Sequence, residues 1–223
     1  MNIKIYQAFY KPEQVTGLQA AFIPYNNIKN EQPMLREYPF ILDLYEKHRH
    51  FDGYWGLVSW MFIHKTNLTS DEALSLITDN PGYDVYHFNA YTDIALYHAN
   101  PFSHGDMNYH PGMIQFMNRL LNKLGYPGVD LQHVKFKDNQ FIYCSYYVGN
   151  QTFWDRWIPF MTTCVQVAES DPELNEYLHG YTSTHYGKTD ISNFSFVIER
   201  LVSLFAFMYE DSISVKMFKC LPR

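Results

Sequence analysis

Asn80-Pro81-Gly82-Tyr83-Asp84-Val85-Tyr86-His87-Phe88-Asn89 is the stretch that decides the fold. Asn-Pro-Gly stops a helix and turns the chain. Tyr-Asp-Val-Tyr-His-Phe then reads as a short strand, apolar and aromatic enough to be interior. Upstream, Ser70 reads as the cap of a helix whose first turn holds Asp71 and Glu72, where carboxylates complement the helix dipole. Helix, tight turn and strand in succession form a unit of α/β folds. Asp84 is then a carboxylate beside a buried sheet, which is costly unless it meets a cation, a metal or several donors. It either carries chemistry or pairs with backbone N–H groups at a strand end.

Working outward, residues 3–9 read as an opening strand ended by Lys11-Pro12, and 20–25 as a second extended piece before a polar loop at 26–33. Residues 35–47 have helical apolar spacing and predict an amphipathic helix. Residues 55–64 are more apolar and predict a buried helix. Pro111 is a good first helical position, and Gly125 a stop for the helix it opens. A strand is expected over 141–148, a helix over 151–169 that Pro159 can kink, a polar loop over 179–190 and a last helix over 191–209. No internal repeat, low-complexity tract or linker interrupts the chain, so one α/β domain over 1–223 is expected.

The 223 residues suffice for a real core. Hydrophobic residues at 47% against 18% charged place the chain with globular rather than disordered proteins. Aromatics reach 18%, which suits a cleft for flat or partly apolar ligands as well as an aromatic-rich core. A net charge of −6 without a long basic run argues against a nucleic-acid polymer as partner. No apolar run approaches a membrane span, and the N-terminus begins with an alternating strand rather than a signal-peptide core. Cys144, Cys164 and Cys220 lack pairing or metal spacing, which fits a reducing cytosol. Without a secretory signal, the glycosylation-like triplets at Asn67, Asn150 and Asn193 are chance matches.

Four groups of residues are candidates for chemistry. Asp84-Val85-Tyr86 occupies the place of an Asp-X-Asp metal clamp with its second Asp replaced, and Asn89 could add a neutral oxygen. Glu199-Arg200 lies in an apolar helix, where the carboxylate can act as a base or pair with its neighbours. Arg36-Glu37 with Trp55, Ser59 and Trp60 could line a ligand cleft or a core. His98, His104, Asp106 and His110, with a distant His179 or His185 and Arg200, loosely imitate the two-histidine, one-carboxylate iron site of oxoglutarate-dependent oxygenases. His110 could instead sit beside an anion near a helix N-terminus.

Taken in order, several segments resemble bacterial GT-A-type glycosyltransferase-like proteins of surface-polysaccharide biosynthesis. They are Arg36-Glu37-Tyr38, Tyr54-Trp55-Gly56-Leu57-Val58-Ser59-Trp60, the Asn80–Asn89 stretch, Ser145-Tyr146-Tyr147-Val148-Gly149-Asn150 with Phe153-Trp154-Asp155, and Phe196-Val197-Ile198-Glu199-Arg200-Leu201-Val202. The resemblance spans residues 1–210. It implies a Rossmann-type nucleotide-sugar-binding domain, with a mixed central sheet flanked by helices. It implies transfer of a sugar from a nucleotide-sugar donor to a saccharide or lipid-linked acceptor, in the cytoplasm or at the periphery of the inner membrane. On this reading Asp84, with Asn89 assisting, holds Mn²⁺ or Mg²⁺ or the diphosphate end. Tyr10, Tyr25 and Asn26, with Glu37 and Ser59, lie near base and ribose. Trp55, Trp60 or Trp154 stacks on base or sugar. Glu199 sits beside the acceptor or reacting carbon, and His110 is the reserve base. Tyr86 in place of the second Asp leaves open a non-catalytic nucleotide- or glycan-binding domain of the same fold. The iron oxygenase and a plain interaction protein also stay open.

Overall fold

A computed structural model describes residues 1–181 and 191–220. Six strands, Ile3–Phe9 (β1), Ile23–Asn26 (β2), Tyr54–Ser59 (β3), Val85–Asn89 (β4), Tyr147–Gly149 (β5) and Val215–Lys219 (β6), form one sheet in the order β2-β1-β3-β5-β4-β6. β1 pairs in parallel with β2 and β3, and β4 with β6, while β5 runs antiparallel between β3 and β4. The sheet is therefore mixed, with β5 alone reversed, and it is flanked by helices on both faces.

Side chains alternate across the strands with period two. Ala8, Trp55, Leu57, Val85 and Tyr147 face a core built with helices Tyr38–His48 (α1), Met113–Lys123 (α6), Gln151–Ser170 (α7) and Asn193–Met208 (α9). Ile5, Val58, Tyr86, Val148 and Phe218 face a smaller core with Phe62–Thr66 (α2) and Ser70–Thr78 (α3). Three more helices, Ile94–Tyr97 (α4), Pro101–Asn108 (α5) and Pro172–His179 (α8), complete the described chain.

The expected helix over 55–64 is instead β3 followed by the short α2. Its apolar run is buried on both faces, so it lacks the alternation that marks a half-buried strand. Gly56 is the local reason it pairs there: a Cβ would collide with the Tyr147 carbonyl on β5. The expected strand over 141–148 shrinks to β5. Cys144 (φ 62°) and Ser145 (φ 55°) are both left-handed, which breaks the extended run before it can pair. Thr69, not Ser70, caps α3: its hydroxyl accepts from Glu72 N–H at 3.3 Å, and the Glu72 carboxylate accepts from Thr69 N–H at 2.8 Å. Ser70 is buried in the first turn, where its hydroxyl accepts from Ala21 N–H.

Candidate functional site

Because β5 is reversed, its amino end lies beside the carboxyl ends of β3 and β4, at the same end of the sheet as that of β1. Ligands in open α/β sheets gather beyond the carboxyl ends of the strands. A cavity of 310 Å³ opens there, where α2, the segment before β5 and the first half of α9 meet. A wider groove of 490 Å³ against α7 is lined by Tyr126, Arg156 and Phe160 and holds no buried charged group.

At the cavity floor Cys144 N–H donates to Glu199 Oε1 at 2.9 Å. Lys65 Nζ lies 3.3 Å from Cys144 Sγ. Burial works against the Lys65 charge, but Cys144, Tyr146, Tyr91 and Glu199 around it outweigh that and raise its pKa. Burial and Glu199 push the Cys144 thiol up to about 11, and burial pushes Tyr91 to about 12. Both are protonated at neutral pH, so Glu199 is the negative member of the group around Lys65. Two successive non-glycine residues in the left-handed region cost a few kcal/mol together. Here that strain aims the Cys144 amide at Glu199.

Arg200, next to Glu199, is only 4% exposed. It donates to Pro101 O at 3.2 Å and Phe196 O at 3.0 Å, and its guanidinium lies 5.7 Å from the centre of the Tyr143 ring. The Tyr143 hydroxyl meets His104 Nδ1 at 3.3 Å. Burial, with Arg200 and His98 nearby, pushes His104 down to about 4, so it is neutral at pH 7. His110 is buried on the cavity wall and stacks on Phe196 with centroids 4.0 Å apart. The helix it precedes begins two residues later than Pro111, at Met113.

On the β1 side, Tyr10 OH donates to Glu37 Oε1 at 2.8 Å. Burial raises the Glu37 pKa, Tyr10 and Arg36 oppose that, and Glu199 adds to it. Glu37 follows Arg36, another left-handed residue (φ 49°). Ser59 Oγ and Tyr146 OH are 2.6 Å apart at the end of β3. The fold thus brings Glu199, Glu37, Tyr10, Ser59 and His110 to one end of the sheet, with Trp60 half-buried beyond β3. Tyr25 and Asn26 end β2 at the same edge but face elsewhere. Tyr25 donates to Asp43 Oδ2 and lines a separate groove, and Asn26 Oδ1 holds the Ile28 N–H.

Other expectations are corrected by position. Asp84 precedes β4, at the opposite end of the sheet from the cavity. Its carboxylate accepts from Ser214 N–H at 2.8 Å, Ser214 Oγ at 2.7 Å and Asn150 Nδ2 at 3.0 Å. Desolvation opposes its charge, but those bonds outweigh it and hold the pKa below the usual carboxylate value. Asn89 is the last residue of β4, five residues on, or about 16 Å at the rise of a strand. Its Oδ1 accepts from Tyr91 N–H. The two residues cannot share one metal ion. Among the described residues no three His, Cys, Asp or Glu side chains gather to hold one.

Trp55 and Trp154 are fully buried and stack on each other at 3.8 Å, with Trp154 Nε1 bonded to Trp55 O and Gly149 O. They are core, and neither can stack on a ligand. The iron arrangement also comes apart. Asp106 accepts from Ile114 N–H, His179 pairs with Glu169, and His185 lies outside the described residues. Sequence reasoning missed Lys65, Cys144, Tyr91 and Tyr143. The available signal for Lys65 was a lone cation in the apolar run Met61-Phe62-Ile63-His64-Lys65.

No protein-family model matches the chain, and no curated protein matches it. Among solved structures, the apo structure of the bifunctional glycosyltransferase WbbM matches the whole of this chain and 46% of its own, with a TM-score of 0.57 and 11% identity. The chain therefore spans about half the length of that protein. Six-stranded mixed sheet, flanking helices and alignment over the full chain show that the two share a fold.

Proposed function

We propose that this chain, as one domain, transfers a glycosyl unit from a nucleotide-sugar donor to the hydroxyl of a saccharide or lipid-linked acceptor. The observation that carries the reading is Glu199, held by the Cys144 amide in a cavity at the carboxyl ends of the strands, in a fold shared with a glycosyltransferase. In the reaction the acceptor oxygen bonds to the anomeric carbon as the carbon–oxygen bond to the diphosphate breaks. The acceptor proton passes to Glu199, and the nucleoside diphosphate leaves with the bonding pair. A positioned base of this kind contributes about a hundred- to ten-thousandfold. Glu37, oriented by Tyr10, acts on the charge at Glu199 from the β1 side, and Trp60 offers a half-buried ring to base or sugar.

Tyr86 no longer favours a lost activity. Its ring is buried in the smaller core and its hydroxyl donates to Asn80 O, so it lies outside the site altogether. The test is nucleoside diphosphate release from UDP-, GDP- and dTDP-sugars, and CMP release from CMP-sugars, with saccharide acceptors. Wild type should turn over one class, and Glu199→Gln should bind the same donor without turnover. No binding of any donor at millimolar concentration would overturn the proposal.

A further inference from the structure

We infer that Lys65 and Arg200 form the seat for the donor's diphosphate, so that transfer proceeds without a divalent cation. The inference rests on the glycosyltransferase reading and names what holds the donor in that site. Both residues line the same cavity, Lys65 from α2 and Arg200 from α9. Arg200 is a nearly fully buried cation whose two hydrogen bonds go to main-chain carbonyls. No carboxylate forms an ion pair with it among the described residues. A guanidinium carries five N–H groups in a planar fork that matches phosphate oxygens. Burying it without an anion is costly, and the cost is recovered when an anion arrives.

Lys65 is under-served in hydrogen bonds rather than for want of an anion, since Glu199 is among the groups that raise its pKa. Its ammonium carries three N–H groups, and the hydrogen bond it makes goes to Cys144 Sγ, an uncharged thiol at neutral pH. Its neighbours Tyr91 and Tyr146 are phenols whose pKa burial raises, so they bring no anion either. Across from Arg200, His104 is neutral and Tyr143, raised by burial, is protonated. The anions lining the cavity are Glu199, whose charge acts on Lys65, and Asp93 on the exposed rim. The diphosphate of a nucleotide sugar carries two negative charges, and two cations await it.

The residues proposed from sequence for a metal do not fit one. Asp84 is saturated by Ser214 and Asn150 at the far end of β4, and Asn89 holds a turn. Fixed cations at the leaving diphosphate stabilise the charge that develops as the sugar departs, the role a metal would otherwise serve.

The test uses the full chain and inorganic pyrophosphate, titrated calorimetrically with EDTA and again with Mn²⁺. Binding should survive EDTA and gain nothing from Mn²⁺. Lys65→Met and Arg200→Met should each weaken it at least about tenfold, the value of one buried hydrogen bond to a charged group. Glu199→Gln should tighten it, because a like charge leaves the cavity. Arg200→Lys, which keeps a buried cation, guards against misfolding and should retain binding better than Arg200→Met. Pyrophosphate binding that requires Mn²⁺, that ignores both substitutions, or that is absent at millimolar concentration would overturn the inference. Donor turnover abolished by EDTA would sink the seat and leave the transferase reading standing. Metal-free pyrophosphate binding through both cations, with no nucleotide sugar bound or turned over, would do the reverse.

Discussion

The two ends of the sheet treat charge in opposite ways. At the amino end of β4, Asp84 is ringed by Ser214 and Asn150, and its lowered pKa shows an anion fully served by its neighbours. At the carboxyl end, Arg200 and Lys65 are held by carbonyls and a thiol, and Glu199 by one amide. Saturated charge staples structure, as Asp84 does by tying β4 to the start of β6 and to the cap of α7. Under-served charge waits for a ligand. The contrast lies in the count and type of partners, which is why residue identity alone ranked Asp84 first.

Substitutions away from the cavity should therefore change stability and leave turnover alone. The largest effect is expected at Trp154→Ala, which empties the partner of Trp55 in the core. It should cost about 4 kcal/mol, read as a fall in denaturation midpoint with unchanged donor affinity in the folded fraction.

His87 tests the interior between the two ends. Burial lowers its pKa to about 4, against about 6.5 unfolded. Above pH 6.5 both states are neutral there. As pH falls from 6.5 toward 4 the unfolded chain takes up a proton that the folded chain refuses, so stability declines. The loss should reach about 3 kcal/mol at pH 4. Chemical denaturation across that range should show a shallower decline in His87→Gln.

Asp84→Asn should cost about 2 kcal/mol, the loss of charge assistance in its hydrogen bonds. That loss should be present at neutral pH and fade as acid protonates the wild-type carboxylate. The smallest effect is expected at Tyr10→Phe. Removing the hydroxyl that donates to Glu37 lets burial raise its pKa further. The Glu37 carboxyl should then titrate higher by less than about one unit, followed by carbon-13 NMR of its side chain.

Much of the architecture was legible. β1 matches the alternating run at 3–9, and α7 differs from its expected span by one residue. The Asn80-Pro81-Gly82 turn separates α3 from β4 as expected. β3 was not legible as a strand because Trp55-Gly56-Leu57-Val58 is buried on both faces, and periodicity cannot separate such a run from a buried helix. α8 carried a readable signal, Asp171-Pro172-Glu173, a cap followed by proline and an acidic first turn. β6 is a short edge strand paired to β4 by a long-range contact that no local pattern announces.

In the site, Glu199, Glu37, Tyr10 and Ser59 were recognisable as polar groups beside apolar elements. Their convergence was not, since it depends on β5 reversing direction. Asp84 illustrates the limit. The Asp-X-Asp pattern made it a ligand candidate, whereas its place just before β4 puts it at the amino end of the strand, away from where ligands bind. Lys65 carried one local signal, a lone cation closing an apolar run, but its pairing with the Cys144 turn is a long-range contact that the signal does not reveal.

The most direct test of this division is to measure kcat/KM for donor turnover in Glu199→Gln and Asp84→Asn side by side, with the melting temperature of each. Activity should fall by about a hundredfold or more in Glu199→Gln, with melting almost unchanged. It should stay within about twofold of wild type in Asp84→Asn, with melting lowered. Loss of activity in Asp84→Asn, with Glu199→Gln fully active, would place the chemistry at the other end of the sheet and contradict the account.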